Sequence, residues 1–195
     1  MELKIAINSE NRTRKQGIVN VNLFNLAEME NNFKQLLHPV KAFAFDIDGV
    51  LTDGSLLITE EGHQLRAMNI RDGYALQLAV KKGYLIFIIS GSISQGVLIR
   101  LNRLGITHVF MQAEDKAAKL KELLLEFKIN SSELLYMGDD LPDLSALKLA
   151  GIATCPADAV PEIKNACIYI SEKSGGTGCV RDVIEQVMRL QNKWE

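Results

Sequence analysis

Two carboxylates one residue apart, Asp46 and Asp48, close the apolar run Lys41–Phe45 and lead straight into Gly49. If the chain turns there, as Gly49 permits, both carboxylates reach the same small volume. One can then attack an electrophile such as phosphorus, while the other handles the proton of a leaving alkoxide. On so short a motif, a plain polar turn is an equal reading. Further candidates stand at similar places. Ser90 closes the apolar run Ile86–Ile89, and Asp139 follows the run Leu134–Met137. Lys116 opens a helical pattern after Thr107–Met111. Alone, Ser90 reads as a strand cap and Lys116 as a solvated helix start. Their joint placement beside acidic strand tips points instead to one polar site.

Such a site needs elements that carry its residues to one edge. After Pro39 the chain alternates short apolar runs with helical patterns. Strands are expected at Lys41–Phe45, Tyr84–Ile89, Thr107–Met111, Leu134–Met137, Ile152–Thr154 and Ile168–Ile170. Helices are expected at Asp72–Lys82, Ser94–Leu104, Lys116–Lys128, Leu141–Leu149 and Cys179–Leu190. Ser55–Thr59 and Gln64–Asn69 flank Glu60-Glu61-Gly62 and predict a β-hairpin. Strand–helix repetition predicts an α/β fold, a Rossmann-like doubly wound parallel sheet whose strands end at the active site. Residues 1–39 read as an N-terminal extension and helix, with Phe24, Met29, Phe33, Leu36 and Leu37 on one face; residues 40–195 read as the catalytic domain.

The longer string Asp46-Ile47-Asp48-Gly49-Val50-Leu51-Thr52-Asp53-Gly54 resembles the first motif of the haloacid dehalogenase-like hydrolases. Ser90-Gly91 is similar to their second motif, Lys116 to the third, and Gly138-Asp139-Asp140-Leu141-Pro142-Asp143 to the fourth. The resemblance implies a phosphatase working through an aspartyl-phosphate on Asp46, with Asp48 as acid/base. It implies Mg²⁺ held by the Asp46 carboxylate, the Asp48 backbone carbonyl and Asp139, with Asp140 or Asp143 holding metal-bound water or orienting Lys116. Ser90, the Gly91 backbone and Lys116 would hold the phosphoryl oxygens. A phosphate monoester repels an attacking carboxylate until a cation neutralises it. Asp48 is expected to carry a proton, its pKa raised by the phosphate and Asp46.

The intervals between Asp48 and Ser90, and between Ser90 and Lys116, are too short for a separate cap domain of ~50 residues. Arg66-Ala67-Met68-Asn69-Ile70-Arg71-Asp72-Gly73 and Gly175-Gly176-Thr177-Gly178-Cys179-Val180-Arg181 resemble segments of the uncapped sugar-acid branch. Its 3-deoxy-D-manno-octulosonate 8-phosphate (KDO 8-phosphate) phosphatases are tetramers of cytoplasmic lipopolysaccharide biosynthesis. The resemblance implies that substrate class, a homotetramer with central hairpins, and substrate contacts from Arg71 and Gly176. From the residues alone, Gly175–Gly178 reads as a flexible turn before the last helix. Ser92 and Thr177 stand where the octulosonate enzymes usually have Arg, and Ser92 also differs from the Glu of enzymes acting on nine-carbon sugar acids. Arg100 and Arg103, one helical turn apart, are offered as the missing charge; a solvated helix face is the equal alternative.

Composition excludes other classes. The formal net charge is −2, with no clustered Lys/Arg to mark a nucleic-acid or membrane surface. No apolar run approaches membrane-spanning length, and the polar N-terminus predicts no secretory signal. Three cysteines without CxxC favour free thiols over a disulfide framework or zinc site. A receiver domain has its acidic pair adjacent and its phosphoacceptor on a later strand, unlike Asp46 and Asp48. A silent regulatory module of the same fold would be expected to lose motif residues, and here all are present.

Overall fold

A computed structural model defines residues 33–194. Phe24 and Met29 of the expected N-terminal helix, and the extension before it, lie outside the described residues. Residues 33–37 are helical (α1), and Leu37 is buried in the core. The ring of Phe33 stacks on Tyr169 at 4.7 Å between centroids.

A six-stranded sheet runs in the order β5-β4-β1-β6-β7-β8, every neighbouring pair parallel. Its strands are β1 (Ala42–Phe45), β4 (Leu85–Ile89), β5 (His108–Phe110), β6 (Leu134–Met137), β7 (Ile152–Cys155) and β8 (Tyr169–Ile170). The central strands are apolar at every position because both faces are covered. Phe43, Phe45, Ile86, Ile88, Leu135 and Met137 face a core shared with α2 (Ile70–Lys81), α3 (Gln95–Arg103) and α7 (Cys179–Leu190). Ala42, Ala44, Phe87, Ile89, Leu134 and Tyr136 face the opposite core, beneath α4 (Lys116–Glu126), α5 (Leu144–Leu147) and α6 (Pro161–Ala166).

The strand order reverses at β1. Strands β4 and β5 extend the sheet on one side, and β6 to β8 on the other. Connections there diverge to opposite faces and leave a crevice beyond the carboxyl ends of β1 and β6. Asp46 and Asp139 both lie at that crevice.

The expected doubly wound sheet is present, with boundaries shifted by one or two residues. Three elements differ further. The hairpin pairs only at β2 (Leu57–Ile58) and β3 (Gln64–Leu65), where no layer among the described residues covers it. The expected helix Leu141–Leu149 divides into a 3₁₀ turn at Leu141–Asp143 and the short α5, with Pro142 inside the turn. Helix α6 was not foreseen; it is too short for helical periodicity to register, and only Pro161 at its first turn announces it.

Candidate active site

At the end of β1 the chain leaves the sheet through a tight loop, Ile47–Leu51. Gly49 adopts φ +88° there, a left-handed value that favours glycine. A Cβ on Gly49 would also stand 2.0 Å from Asp139 Oδ2, so the glycine makes room for the carboxylate from the neighbouring strand. Thr52, fully buried, closes the loop: its hydroxyl donates to the Ile47 carbonyl and accepts from the Gly49 and Gly54 amides.

Asp46, 6% exposed, anchors its amide to the Met137 carbonyl of β6 at 3.2 Å. Lys116, from the first turn of α4, places Nζ 2.9 Å from Asp46 Oδ2 and 2.8 Å from Asp143 Oδ1. Asp143 is held in turn: Tyr136 donates its hydroxyl to Oδ1 at 2.7 Å, and the Asp139 amide donates to Oδ2 at 3.3 Å. Tyr136 reads as one more apolar strand residue in the sequence, so its role at the site was missed.

The carboxylates of Asp46, Asp139 and Asp143 bring oxygens within 4.8 Å of one another. Asp46 Oδ1 and Asp139 Oδ1 are both buried without a hydrogen-bond partner. Burial first, then the neighbouring carboxylates, push both acids up to about 7, although Lys116 pulls the other way. Burial disfavours the charge of Lys116, but Asp46 and Asp143 outweigh it and raise its pKa. One ammonium facing three carboxylates leaves the cluster short of positive charge. Unpaired hard oxygens with a charge deficit fit a divalent cation such as Mg²⁺. Asp143 has both oxygens engaged by protein donors, which suits orienting Lys116. Asp140 is exposed and caps the following turn, its Oδ1 accepting from the Leu141 amide at 2.7 Å.

Asp48 departs from expectation. Arg66 grips it with a fork, Nε to Oδ1 at 2.6 Å and Nη2 to Oδ2 at 3.0 Å. Burial would raise the Asp48 pKa, but the bonds from Arg66 and Ser92 prevail and hold it below the usual carboxylate value. In the substrate-free protein Asp48 is therefore an anchored carboxylate, and the raised pKa expected for it belongs to the state with phosphate beside it. Arg66 lies within a quoted motif, yet nothing in its spacing connects it to Asp48.

Ser90 caps β4 beside this pair, buried, and shares a 3.0 Å hydrogen bond with Ser92. Gly91 is exposed, and a Cβ there would meet only the Ala113 carbonyl at 4.0 Å. Packing within the chain thus leaves its backbone open to an incoming ligand.

The expected substrate residues are dispersed. Among the described residues, Arg71, Arg100 and Arg103 make no hydrogen bond or ion pair to the Asp46 cluster. The Arg100 guanidinium lies against Gly73 in α2, and Arg103 is exposed. Arg71 lines a separate cleft of about 570 Å³ with Lys173, Thr177, Arg181 and Arg189. Gly176 is half-buried and held against the loop: its amide donates to the Val50 carbonyl at 2.9 Å, and a Cβ would strike Asp53 N at 2.6 Å. The Asn69 amide donates to the Gly176 carbonyl, and Gly175 packs on Gly49. The glycine segment braces the loop of its own subunit.

Comparison with known proteins agrees with this arrangement. A family model described as haloacid dehalogenase-like hydrolase matches residues 102–181. The chain is 32% identical to 3-deoxy-D-manno-octulosonate 8-phosphate phosphatase of Yersinia pestis over 80% of its length and 83% of the relative. A putative hydrolase of subfamily III A from Legionella pneumophila superposes with a TM-score of 0.85 at 32% identity, covering 87% of this chain and 93% of that one. The Moraxella catarrhalis octulosonate 8-phosphate phosphatase, solved with magnesium, phosphate and KDO, gives 0.80 at 36% identity over 83% and 93%.

Proposed function

Because this chain belongs to the haloacid dehalogenase-like hydrolases, in the family of the KDO 8-phosphate phosphatases, we propose that it removes phosphate from a 3-deoxy-2-keto sugar-acid phosphate, KDO 8-phosphate first among them. The reaction supplies free sugar acid for lipopolysaccharide assembly, and we assign it to the cytoplasm. Among the described residues, no helix is long and apolar enough to cross a membrane.

One observation carries the reading. Lys116 is wedged between Asp46 and Asp143, while Asp46 Oδ1 and Asp139 Oδ1 remain unpaired at adjoining strand tips. Asp46, Asp139 and the Asp48 carbonyl would hold Mg²⁺, which would supply the charge that lets carboxylate meet phosphate. A free oxygen of Asp46 attacks phosphorus, the bond to the sugar oxygen breaks, and the phosphoryl group passes to Asp46. Ser90, the Gly91 amide and Lys116 hold its oxygens and stabilise the charge that moves between them. Asp48 hands a proton to the departing alkoxide. Water then attacks the phospho-aspartate, with Asp48 taking up its proton, and inorganic phosphate leaves. Arg66 opposes protonation of Asp48 in the free site, so the first proton arrives with the substrate; a phosphate monoester with a second pKa near ~6 brings one in part of its population.

Oligomeric closure is part of the proposal. Among the described residues the hairpin has no cover: Leu57 and Ile58 are 67% and 64% exposed, and Ile70 beyond it is 80% exposed. A two-stranded hairpin is marginal alone, which supports a homotetramer with hairpins packed together and substrate contacts crossing between subunits. The dispersal of Arg71, Arg100 and Arg103 favours the same arrangement. A panel of sugar and sugar-acid phosphates assayed in Mg²⁺ tests the reading. KDO 8-phosphate should show the highest kcat/KM, and Asp46→Asn should abolish turnover. A hexose phosphate outperforming every keto-acid phosphate would remove the substrate assignment, and an active Asp46→Asn would remove the covalent mechanism.

A further inference from the structure

The hairpin reaches back into the site through one residue. Arg66 follows β3, between the exposed Leu65 and Ala67, yet its side chain turns inward and is only 2% exposed. Two of its nitrogens bind both oxygens of Asp48, and the third, Nη1, is buried without a partner. Burying a guanidinium is costly, and an aliphatic side chain would fill the same space without that cost. The charge is therefore explained by its partner and not by packing. Asp48 itself sits on a loop, and its side chain is 32% exposed. Left alone it would sample several rotamers. The planar fork fixes both the position and the plane of its carboxylate. The Ser92 hydroxyl, tied to Ser90 at 3.0 Å, favours the charged form of the same carboxylate.

We propose that Arg66 is the positioning residue for proton transfer by Asp48, so that the hairpin aligns the acid/base group of its own subunit as well as offering an apolar surface outward. The inference rests on the acid/base reading of Asp48 given above. Each working carboxylate then has its own cation: Lys116 from α4 fixes Asp46, and Arg66 from the hairpin fixes Asp48. Geometry is what the second cation supplies. Proton transfer needs heavy atoms within about 2.6–3.2 Å, and a misplacement of ~1 Å costs on the order of 10²-fold.

The test is a double-mutant cycle on the full-length enzyme in saturating Mg²⁺, with KDO 8-phosphate and p-nitrophenyl phosphate as substrates. Arg66→Met should lower kcat by roughly 10²-fold with KM unchanged. Arg66→Lys, which keeps charge and one bond but loses the fork, should recover only part of it. In the Asp48→Asn background, Arg66→Met should cost nothing further, because the residue acts through Asp48. An equal loss in both backgrounds, a change in KM alone, or wild-type kcat in Arg66→Met overturns the inference. Should Arg66→Met fail to fold, Arg66→Lys is carried through the same cycle with the same criteria. A fully active Asp48→Asn overturns the acid/base reading and this inference together. A slow Asp48→Asn beside a normal Arg66→Met leaves that reading standing and removes only the role of Arg66.

Discussion

Substitution of Gly49 by alanine separates two costs that usually arrive together. At φ +88° an L-residue is strained, by about 1–2 kcal/mol in the left-handed region. For a domain of this size, ~1 kcal/mol shifts Tm by about 2–4 °C, so backbone strain alone predicts a fall of about 2–8 °C. The second cost is local. The new Cβ would lie 2.0 Å from Asp139 Oδ2 and 2.4 Å from its Cγ. Ordinary contact is about 3.5–4.0 Å, so the carboxylate must move by more than an ångström, away from the oxygens of Asp46. Displacing a metal-binding carboxylate should weaken Mg²⁺ by at least the ~10–100-fold seen when only its outer supports are lost. Gly83 is the control, with φ +85° and nothing within 4 Å of its would-be Cβ. Gly83→Ala should share the loss in Tm and leave Mg²⁺ affinity untouched. Thermal unfolding and Mg²⁺ titration of both variants, by calorimetry and by activation of phosphatase activity, decide the matter. Equal Mg²⁺ requirements in the two variants would refute the assignment of Asp139 to the metal.

Further outcomes concern charge, support and assembly. Asp46 and Asp139 stand at about 7 in the folded metal-free chain, against 3.8 as the ordinary value. The folded state then binds protons more tightly, and stability should rise as pH falls from about 7 towards about 4. With chelator present, the cluster's contribution should therefore raise Tm over that window, and saturating Mg²⁺ should flatten it; the same slope in both conditions would count against a cation among these carboxylates. Asp143→Asn removes the charge that orients Lys116 and places an amide where Tyr136, Lys116 and the Asp139 amide all donate, so it should cost about 3–5 kcal/mol of stability and most activity; unfolding curves close to wild type would argue against this network. Charged residues at Leu57 and Ile58 should lower the mass measured by light scattering from four subunits and reduce kcat/KM together; a fully active monomer would refute closure by assembly.

That Asp46, Lys116 and Asp139 share one cluster was legible in sequence because each ends or begins a regular element. Asp46, Ser90 and Asp139 mark the points where apolar strands stop, and the parallel sheet gathers those points at one edge. Contacts between distant loops left no such mark. Arg66 meets Asp48 only because the hairpin folds back, and no periodicity encodes that return. The same limit applies to Gly176, whose neighbours look like any glycine-rich turn until the loop at Gly49 is beside it. Tyr136 was hidden for another reason. Its ring satisfies the apolar pattern of β6, while its hydroxyl alone belongs to the site. Ser92 is occupied with Ser90, and Thr177 donates to the Ser174 carbonyl at 2.7 Å. Neither brings the charge of an arginine, which leaves recognition of the sugar-acid carboxylate to other residues.

The brace beneath the nucleophile loop also sets an order of events in the cell. Val50 is gripped by the Gly176 amide and by the Cys179 thiol, 129 residues further along the chain. At about 5–20 residues per second, the ribosome needs some ~6–26 s between making the loop and making its clamp. By the end of that interval strands β1, β4, β5 and β6 have all been made, while the loop carrying Asp48 and Gly49 still lacks its backing. The core over one face of the sheet waits for the same stretch, since α7 supplies Cys179, Val180, Val183, Ile184, Val187 and Met188 to it. A chain truncated before Gly175 would keep every motif residue while losing the support beneath the loop at Val50.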